Sequence, residues 1–223
     1  MTELLIVVAA GSGSRLGRRE PKALVPIAGK PLLVWTLQAM ATDRFRRIVV
    51  VAPPDRVDEF SGLVGARARV VAGGATRSTS VRCGFQALAA ADGDIVAVHD
   101  AARPLVTADE VEAVLRAAAE TGAAIAAMPV VDTIKRVAAG RVVETLDRSQ
   151  LYGAATPQAF RADVLRRALS SGREATDEAM LCEELGLPVA VVPVSRFAFK
   201  ITTPEDLELA EAIIGTGRKG SRT

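Results

Sequence analysis

Between residues 4 and 31 the chain reads LLIVVAAGSGSRLGRREPKALVPIAGKP, an apolar run that opens into a glycine loop and is then barred from helix by prolines at 21, 26 and 31. Each proline restrains its own φ, lacks an N–H donor and disfavours helix at the residue before it. Most uses of a glycine loop are thereby excluded. A Rossmann fingerprint needs G-x-G-x-x-G opening straight into a helix, yet Leu16 stands at the third glycine and Gly17 comes one residue late. A Walker A loop would need glycine at 16 followed by Lys-Ser/Thr, and that is absent too. What remains is a strand, a long loop and a helix starting near Pro31, proline being favoured at a first helical position. Gly11 and Gly13 let backbone N–H groups approach a ligand, and Arg15 and Lys22 supply positive charge. The stretch reads as a cradle for a triphosphate; a bare strand-to-helix turn is the alternative.

Further short β-branched runs follow at 46–52, 68–72, 94–99, 123–130 and 188–194. They are continuously apolar rather than alternating, the mark of a mainly parallel sheet covered on both faces. Helices are expected over 31–40, 76–91, 107–120, 161–169, 176–185 and 204–214. Thr107 with Glu110, and Thr203 with Pro204 and Asp206, supply start signals. The pattern predicts a doubly wound α/β fold. Residues 130–148, VVDTIKRVAAGRVVETLDR, depart from the βα rhythm and read as two strands joined near Gly140. An isolated ribbon is marginal in water, so a second copy of the chain is its expected support. The whole chain, 1–223, is expected to form one domain, with 130–155 as a dimerisation arm.

Lys and Arg number 28 against 26 Asp and Glu. This near-balance offers no global field for nucleic acid or an anionic membrane, so binding chemistry should be local. Neither a membrane span nor a secretory signal is visible, and the expected compartment is the cytoplasm. Cys83 and Cys182 are far apart and read as inert core thiols. His99 is the lone histidine, which rules out a multi-histidine metal site. At a strand end beside Asp100 it is either a hydrogen-bonded structural imidazole or a base. The tail after Ile214, GTGRKGSRT, reads as a solvated end.

In an open α/β sheet, ligands bind beyond the carboxyl ends of the strands. The unusual polar segments fall there: AAGSGSR, GGATRSTS, DAARP and DTIKR after the first, third, fourth and fifth runs. Gly73 and Gly74 permit close backbone approach, and Ser80 can bond a base edge or cap a helix. Asp100 and Arg103, held by Pro104, offer an acid and a base to a phosphorylated, hydroxylated ligand, or pair with each other. Thr133, Lys135 and Arg148 are solvated charges and polar groups unless the ribbon overhangs a cleft. Lys200, framed by FAFKITTPEDL, either snorkels or serves as a desolvated cation. Thr176, Asp177 and Glu178 look first like a helix N-terminus with favourable dipole charges.

With AAGSGSRLG, PKALVPIAGKP, GGATRS, VHDAARP, DTIKR, DRSQLY, TPQAF, TDEA and FKITTPEDL in this order, the chain closely resembles the 2-C-methyl-D-erythritol 4-phosphate cytidylyltransferases of the non-mevalonate isoprenoid pathway. The resemblance implies a nucleotidyltransferase fold, a homodimer joined by the ribbon, and a divalent metal, usually Mg²⁺, held mainly by phosphates rather than by side chains. The implied reaction joins CTP to methylerythritol phosphate and releases pyrophosphate. By the same resemblance Ala9, Ala10, Gly11, Gly13, Arg15 and Lys22 match the triphosphate loop, and Gly74, Ser80 and Ala101 match positions around the cytidine. Asp100, Arg103, Thr156, Thr176 and Lys200 match the acceptor side, and Thr133 and Arg148 match arm positions entering the neighbouring subunit's site. Arg15, Lys22 and Lys200 are the expected catalytic cations. Ala198 and Phe199 depart from the usual Asn-Ile before the lysine. Two alternatives stay open: a cytidylyltransferase for another polyol phosphate such as ribitol 5-phosphate, and a nucleotide sensor without turnover. An oxidoreductase is disfavoured by the displaced glycine.

Overall fold

A computed structural model describes residues 1–11, 13, 16 and 20–216. Among them a seven-stranded sheet runs in the order β11-β7-β10-β6-β1-β4-β5. These strands are β1 (Glu3–Val8), β4 (Arg47–Ala52), β5 (Arg69–Ala72), β6 (Ile95–Asp100), β7 (Ala123–Pro129), β10 (Tyr152–Arg161) and β11 (Ala190–Pro193). All point one way except β10, which pairs antiparallel with β6 and β7. A short hairpin, β2 (Pro26–Ile27) with β3 (Lys30–Pro31), and a ribbon, β8 (Lys135–Ala138) with β9 (Arg141–Thr145), form separate two-stranded sheets.

Two covered faces explain the continuous apolar runs of the inner strands, whereas the edge strands β5 and β11 are partly exposed, contrary to the sequence expectation, because each has a neighbour on one side only. Leu5, Val7, Val50 and Ala97 pack into one core with Leu33 and Leu37 of α1 (Leu32–Ala39), Phe60 and Val64 of α2 (Val57–Val64), and Val111 and Leu115 of α4 (Ala108–Thr121). Their neighbours Leu4, Ile6, Val49, Val51 and Val96 face the other way. They meet Val81 and Leu88 of α3 (Arg77–Leu88), Leu165 of α5 (Ala162–Ser170) and Leu181 of α6 (Glu178–Glu184). Side chains alternate across a strand, so a strand apolar on both faces must be buried on both. The last helix, α7 (Pro204–Gly215), closes a smaller cluster with Val25, Ile27, Leu32, Ala102 and Ile201.

Helix starts follow the local chemistry: Thr107 with Glu110 and Thr203 with Asp206 form reciprocal capping boxes, as does Thr76 with Thr79. Besides the short β2–β3 hairpin within the expected loop, two longer elements differ from the sequence expectation. The helix α2 escapes local reading because VDEFSGLV is short and carries a mid-helix glycine; burial of Phe60 and Val64 overrides weak propensity. The strand β10 escapes it because Pro157 argues against a sheet interior. That proline is accommodated in a register irregularity between Ala154 and Gln158. Residues 217–223 of the tail lie outside the described residues.

Candidate active site

Strand order reverses at β1: the chain winds outward through β4 and β5 on one side, while β6 flanks β1 on the other. Beyond the carboxyl ends of β1 and β6, at that switch point, lies a hollow of about 430 Å³. Three segments wall it.

The first wall is the loop after β1. Gly13 adopts φ +69°, and a Cβ there would sit 2.8 Å from Glu20 O and 3.1 Å from Lys22 N. Glycine alone allows that turn and lets residues 20–22 fold back against it. Lys22 N accordingly donates to Gly11 O at 3.3 Å, and the Lys22 side chain enters the hollow, its Nζ donating to Ile201 O at 2.9 Å. That bond ties the first thirty residues to the Lys200 segment. Ala9, Ala10, Gly11 and Gly13 line the same wall. Arg15 lies outside the described residues.

The second wall is the turn from β5 into α3. A Cβ on Gly74 would stand 2.5 Å from Thr79 Cβ, so the loop closes on the helix only with glycine. Gly74 N donates to Ser80 Oγ at 3.2 Å, and that hydroxyl donates to Thr76 O at 2.8 Å. Ser80 thus braces the loop while also lining the hollow.

The third wall is the end of β6, where Ala101 N donates to Val8 O at 3.0 Å and Asp100 is buried. Asp100 Oδ2 accepts from Lys200 Nζ at 2.8 Å, and Oδ1 accepts from Arg77 Nε at 3.3 Å. Burial by itself would raise this carboxyl, but the Arg77 and Lys200 charges prevail and hold it well below the usual carboxylate range. Arg77 also lines the hollow, and its Nη1 reaches both oxygens of the fully buried Glu178, at 2.8 and 3.0 Å. Burial pushes the Glu178 carboxyl up, and Arg77 opposes that shift.

Behind this wall sits a polar network. Asp100 N donates to Thr156 Oγ1 at 3.0 Å, and the same hydroxyl lies 3.0 Å from His99 Nδ1, while His99 Nε2 lies 3.1 Å from Arg103 O. These partners assign the proton to Nε2, with Thr156 donating to Nδ1. Burial drives the imidazole down to about 4, so it is neutral at pH 7. The structural option for His99 therefore fits, with both ring nitrogens engaged. Arg103 donates to Ala198 O at 2.7 Å and to Ala154 O at 3.4 Å; its Nε is buried without a hydrogen-bond partner among the described residues, 3.9 Å from Asp100 Oδ2.

The expected residues therefore divide. Ala9, Ala10, Gly11, Gly13, Lys22, Gly74, Ser80, Asp100, Ala101 and Lys200 share the hollow. Thr156 and Arg103 stand behind it, and Thr176 is exposed, its hydroxyl 3.9 Å from Met180 Sδ. Asp177, not Thr176, caps α6. Thr133 and Arg148 sit on the exposed ribbon, Arg148 bonding Val131 O. Sequence reasoning missed Arg77 and the inward turn of Glu178. Both lie in segments singled out by the motifs, GGATRS and TDEA, but Glu178 reads locally as a helix-dipole charge.

A doubly wound sheet with a glycine loop at its switch point, and Lys22 and Lys200 facing one hollow, define a nucleotidyltransferase-like α/β protein. The sequence profile of the 2-C-methyl-D-erythritol 4-phosphate cytidylyltransferase family matches residues 4–216, and the chain belongs to that family. A family member from Frankia casuarinae is 47% identical over 215 residues, covering 94% of this chain and 80% of that one. The one from Endomicrobium trichonymphae is 42% identical over 219 residues, covering 96% and 99%. The crystal structure of the Thermus thermophilus enzyme superposes with a TM-score of 0.79 at 36% identity, covering 96% of this chain and 98% of that chain.

Proposed function

We infer that this chain transfers the cytidylyl group of CTP to 2-C-methyl-D-erythritol 4-phosphate and releases pyrophosphate. Family membership supports the reaction, and one observation carries the site: Gly11, Gly13 and Lys22 face Asp100 and Lys200 across a single hollow. An acceptor phosphate oxygen attacks the α-phosphorus in line, and the bond from that phosphorus to pyrophosphate breaks. Two anions meet and charge builds on the transferring group, so preorganised cations must supply the rate. The acceptor phosphate is already ionised near neutral pH, and no protein nucleophile is needed. In this reading Lys22 and Arg15 balance the departing pyrophosphate, and Lys200 meets the incoming phosphate by exchanging Asp100 for it. Gly74, Ser80 and Ala101 border the cytidine. Arg103, with its orphaned Nε, and Thr156 set the acceptor wall from behind.

Mg²⁺ is part of the proposal. A hard cation takes oxygen ligands and is commonly shared with substrate phosphates. The donor set fits: Asp100, the carboxylate lining the hollow, already carries Lys200 and Arg77, which leaves phosphate oxygens as the main ligands. Bound there, the ion would offset the charge of the substrate phosphates.

The active unit we propose is a homodimer joined through 130–155. Val131, Val137, Val142 and Val143 are each more than half exposed on the ribbon. A partner would cover them and bring Thr133 and Arg148 to its site. The enzyme is taken as cytoplasmic, acting on neither nucleic acid nor membrane; among the described residues no helix is long and apolar enough to cross a bilayer.

The test is pyrophosphate release by purified protein with CTP and Mg²⁺, run in parallel with methylerythritol phosphate and ribitol 5-phosphate. Faster turnover of the former is expected. Faster turnover of ribitol phosphate would reassign the acceptor, and CTP binding without any turnover would make the protein a sensor.

A further inference from the structure

We propose that Glu178 is a positioning residue for the acceptor side, acting through Arg77 to keep Asp100 fixed while Lys200 is released to the incoming phosphate. The inference rests on the cytidylyltransferase reading and adds to it a division of labour between two cations that touch the same carboxylate.

Asp100 holds one cation on each oxygen, Arg77 Nε at 3.3 Å and Lys200 Nζ at 2.8 Å. A phosphate dianion entering the hollow competes with Asp100 for both. Were both to leave, Asp100 would be a buried carboxylate left with the Arg103 guanidinium, its Nε 3.9 Å away and making no hydrogen bond among the described residues, which is costly. The two cations are not equivalent. Lys200 is a point charge on a flexible stem and is about a third exposed. Arg77 has a second carboxylate: its Nη1 lies 2.8 and 3.0 Å from the oxygens of Glu178, whose side chain is 1% exposed. A guanidinium gripped at both edges cannot follow the phosphate without abandoning a buried charge. Arg77 therefore stays, Lys200 moves, and Asp100 keeps the orientation in which it can accept hydrogen bonds from polyol hydroxyls.

The surroundings of Glu178 are built to hold it still. Its neighbour Asp177 caps α6 and accepts from Gln158 Nε2 at 2.9 Å, and Ala179 N donates to Gln158 Oε1 at 3.3 Å. The loop before it is stitched to α3 through Ser78 Oγ, which donates to Ala175 O at 3.2 Å and accepts from Ala175 N at 3.1 Å. Arg77 is the first residue of α3, directly after Thr76, whose capping box with Thr79 fixes the start of the helix. Both ends of the pair thus rest on fixed backbone. A buried ion pair is a poor device for stability alone, since apolar replacements often match it.

The test measures steady-state pyrophosphate release by wild type, Glu178→Gln and Arg77→Lys, varying methylerythritol phosphate at saturating CTP and then CTP at saturating acceptor. Gln keeps the shape and an oxygen acceptor but not the charge; Lys cannot span Asp100 and Glu178 at once. Acceptor KM should rise by about tenfold in each, with CTP KM within about twofold of wild type. Arg77→Lys reads the same link should the buried Gln variant fail to fold. An unchanged acceptor KM in a folded variant, or an equal rise in both KM values, overturns the clamp while leaving the reaction assignment intact. A wild-type enzyme that does not turn over methylerythritol phosphate removes the reaction assignment and the clamp together.

Discussion

At the scale of single residues, the proposed reaction depends on charge at the hollow, and the pH response on burial behind it. Lys22→Ala should cut turnover by roughly 10²-fold or more, about 3 kcal/mol of transition-state stabilisation, by analogy with lost oxyanion donors. The loss belongs in kcat at saturating CTP; a change confined to the KM for CTP would show that Lys22 only binds. His99 gives a prediction of another kind. It stays neutral down to about pH 4 when folded, whereas an ordinary histidine titrates near 6.5. Between those values the unfolded chain binds more protons, so stability contributed by His99 is complete above about pH 6.5 and is lost as pH falls toward 4, ~3 kcal/mol at most. Urea unfolding at pH 7 and pH 5 should show that decline, and His99→Gln should flatten it. An equally steep decline in the variant would place the proton elsewhere.

Among the elements, close approach between α3 and the sheet is what lets the Gly73–Ser80 segment reach the hollow. A Cβ on Gly84 would lie 2.7 Å from Ile6 Cγ2 and 2.9 Å from Val51 Cγ2, both on fully buried branched residues. Gly84→Ala gains ~1 kcal/mol of helix propensity. Overpacking in a filled core costs about 1–3 kcal/mol, so the net effect should be destabilising, read as a lower urea midpoint. A raised midpoint would mean the helix moves outward at no cost. The elements most legible in the sequence are those whose apolar runs are buried on both faces, because burial by two layers leaves no polar position to confuse the pattern. β10 and α2 are illegible for the opposite reason: a proline in one and a glycine in the other violate local rules that packing then overrides.

Taken as a whole molecule, the protein places an exposed ribbon outside the set of residues that line its own hollow, and the dimer proposed above gives that ribbon a purpose. Arg148→Ala and Lys200→Ala chains should each be inactive alone. Co-expressed, they should recover about a quarter of wild-type activity, because random pairing leaves half of the dimers with one intact site of two. No recovery would mean that each site is built within one chain. The site itself is legible in part for a global reason. Strand ends that point one way share one edge of the sheet, so AAGSGSR, GGATRSTS, DAARP and DTIKR are all expected at one cleft; residues of the first three line the hollow, whereas DTIKR lies on the exposed ribbon side and does not. Thr156 and Arg103 are harder, since a motif shows which residue types gather but not which of them face the ligand and which brace the wall behind it.

Sequence alone determined the layered α/β class and the family, because periodicity, glycine and proline act locally and leave local marks. Tertiary structure alone decided that Lys22 meets the Lys200 segment through Ile201, that Glu178 turns inward to grip Arg77, and that His99 is a neutral brace. Those outcomes join residues up to 179 positions apart, and no local propensity carries the free energy of burying a charge beside a partner that distant in the chain.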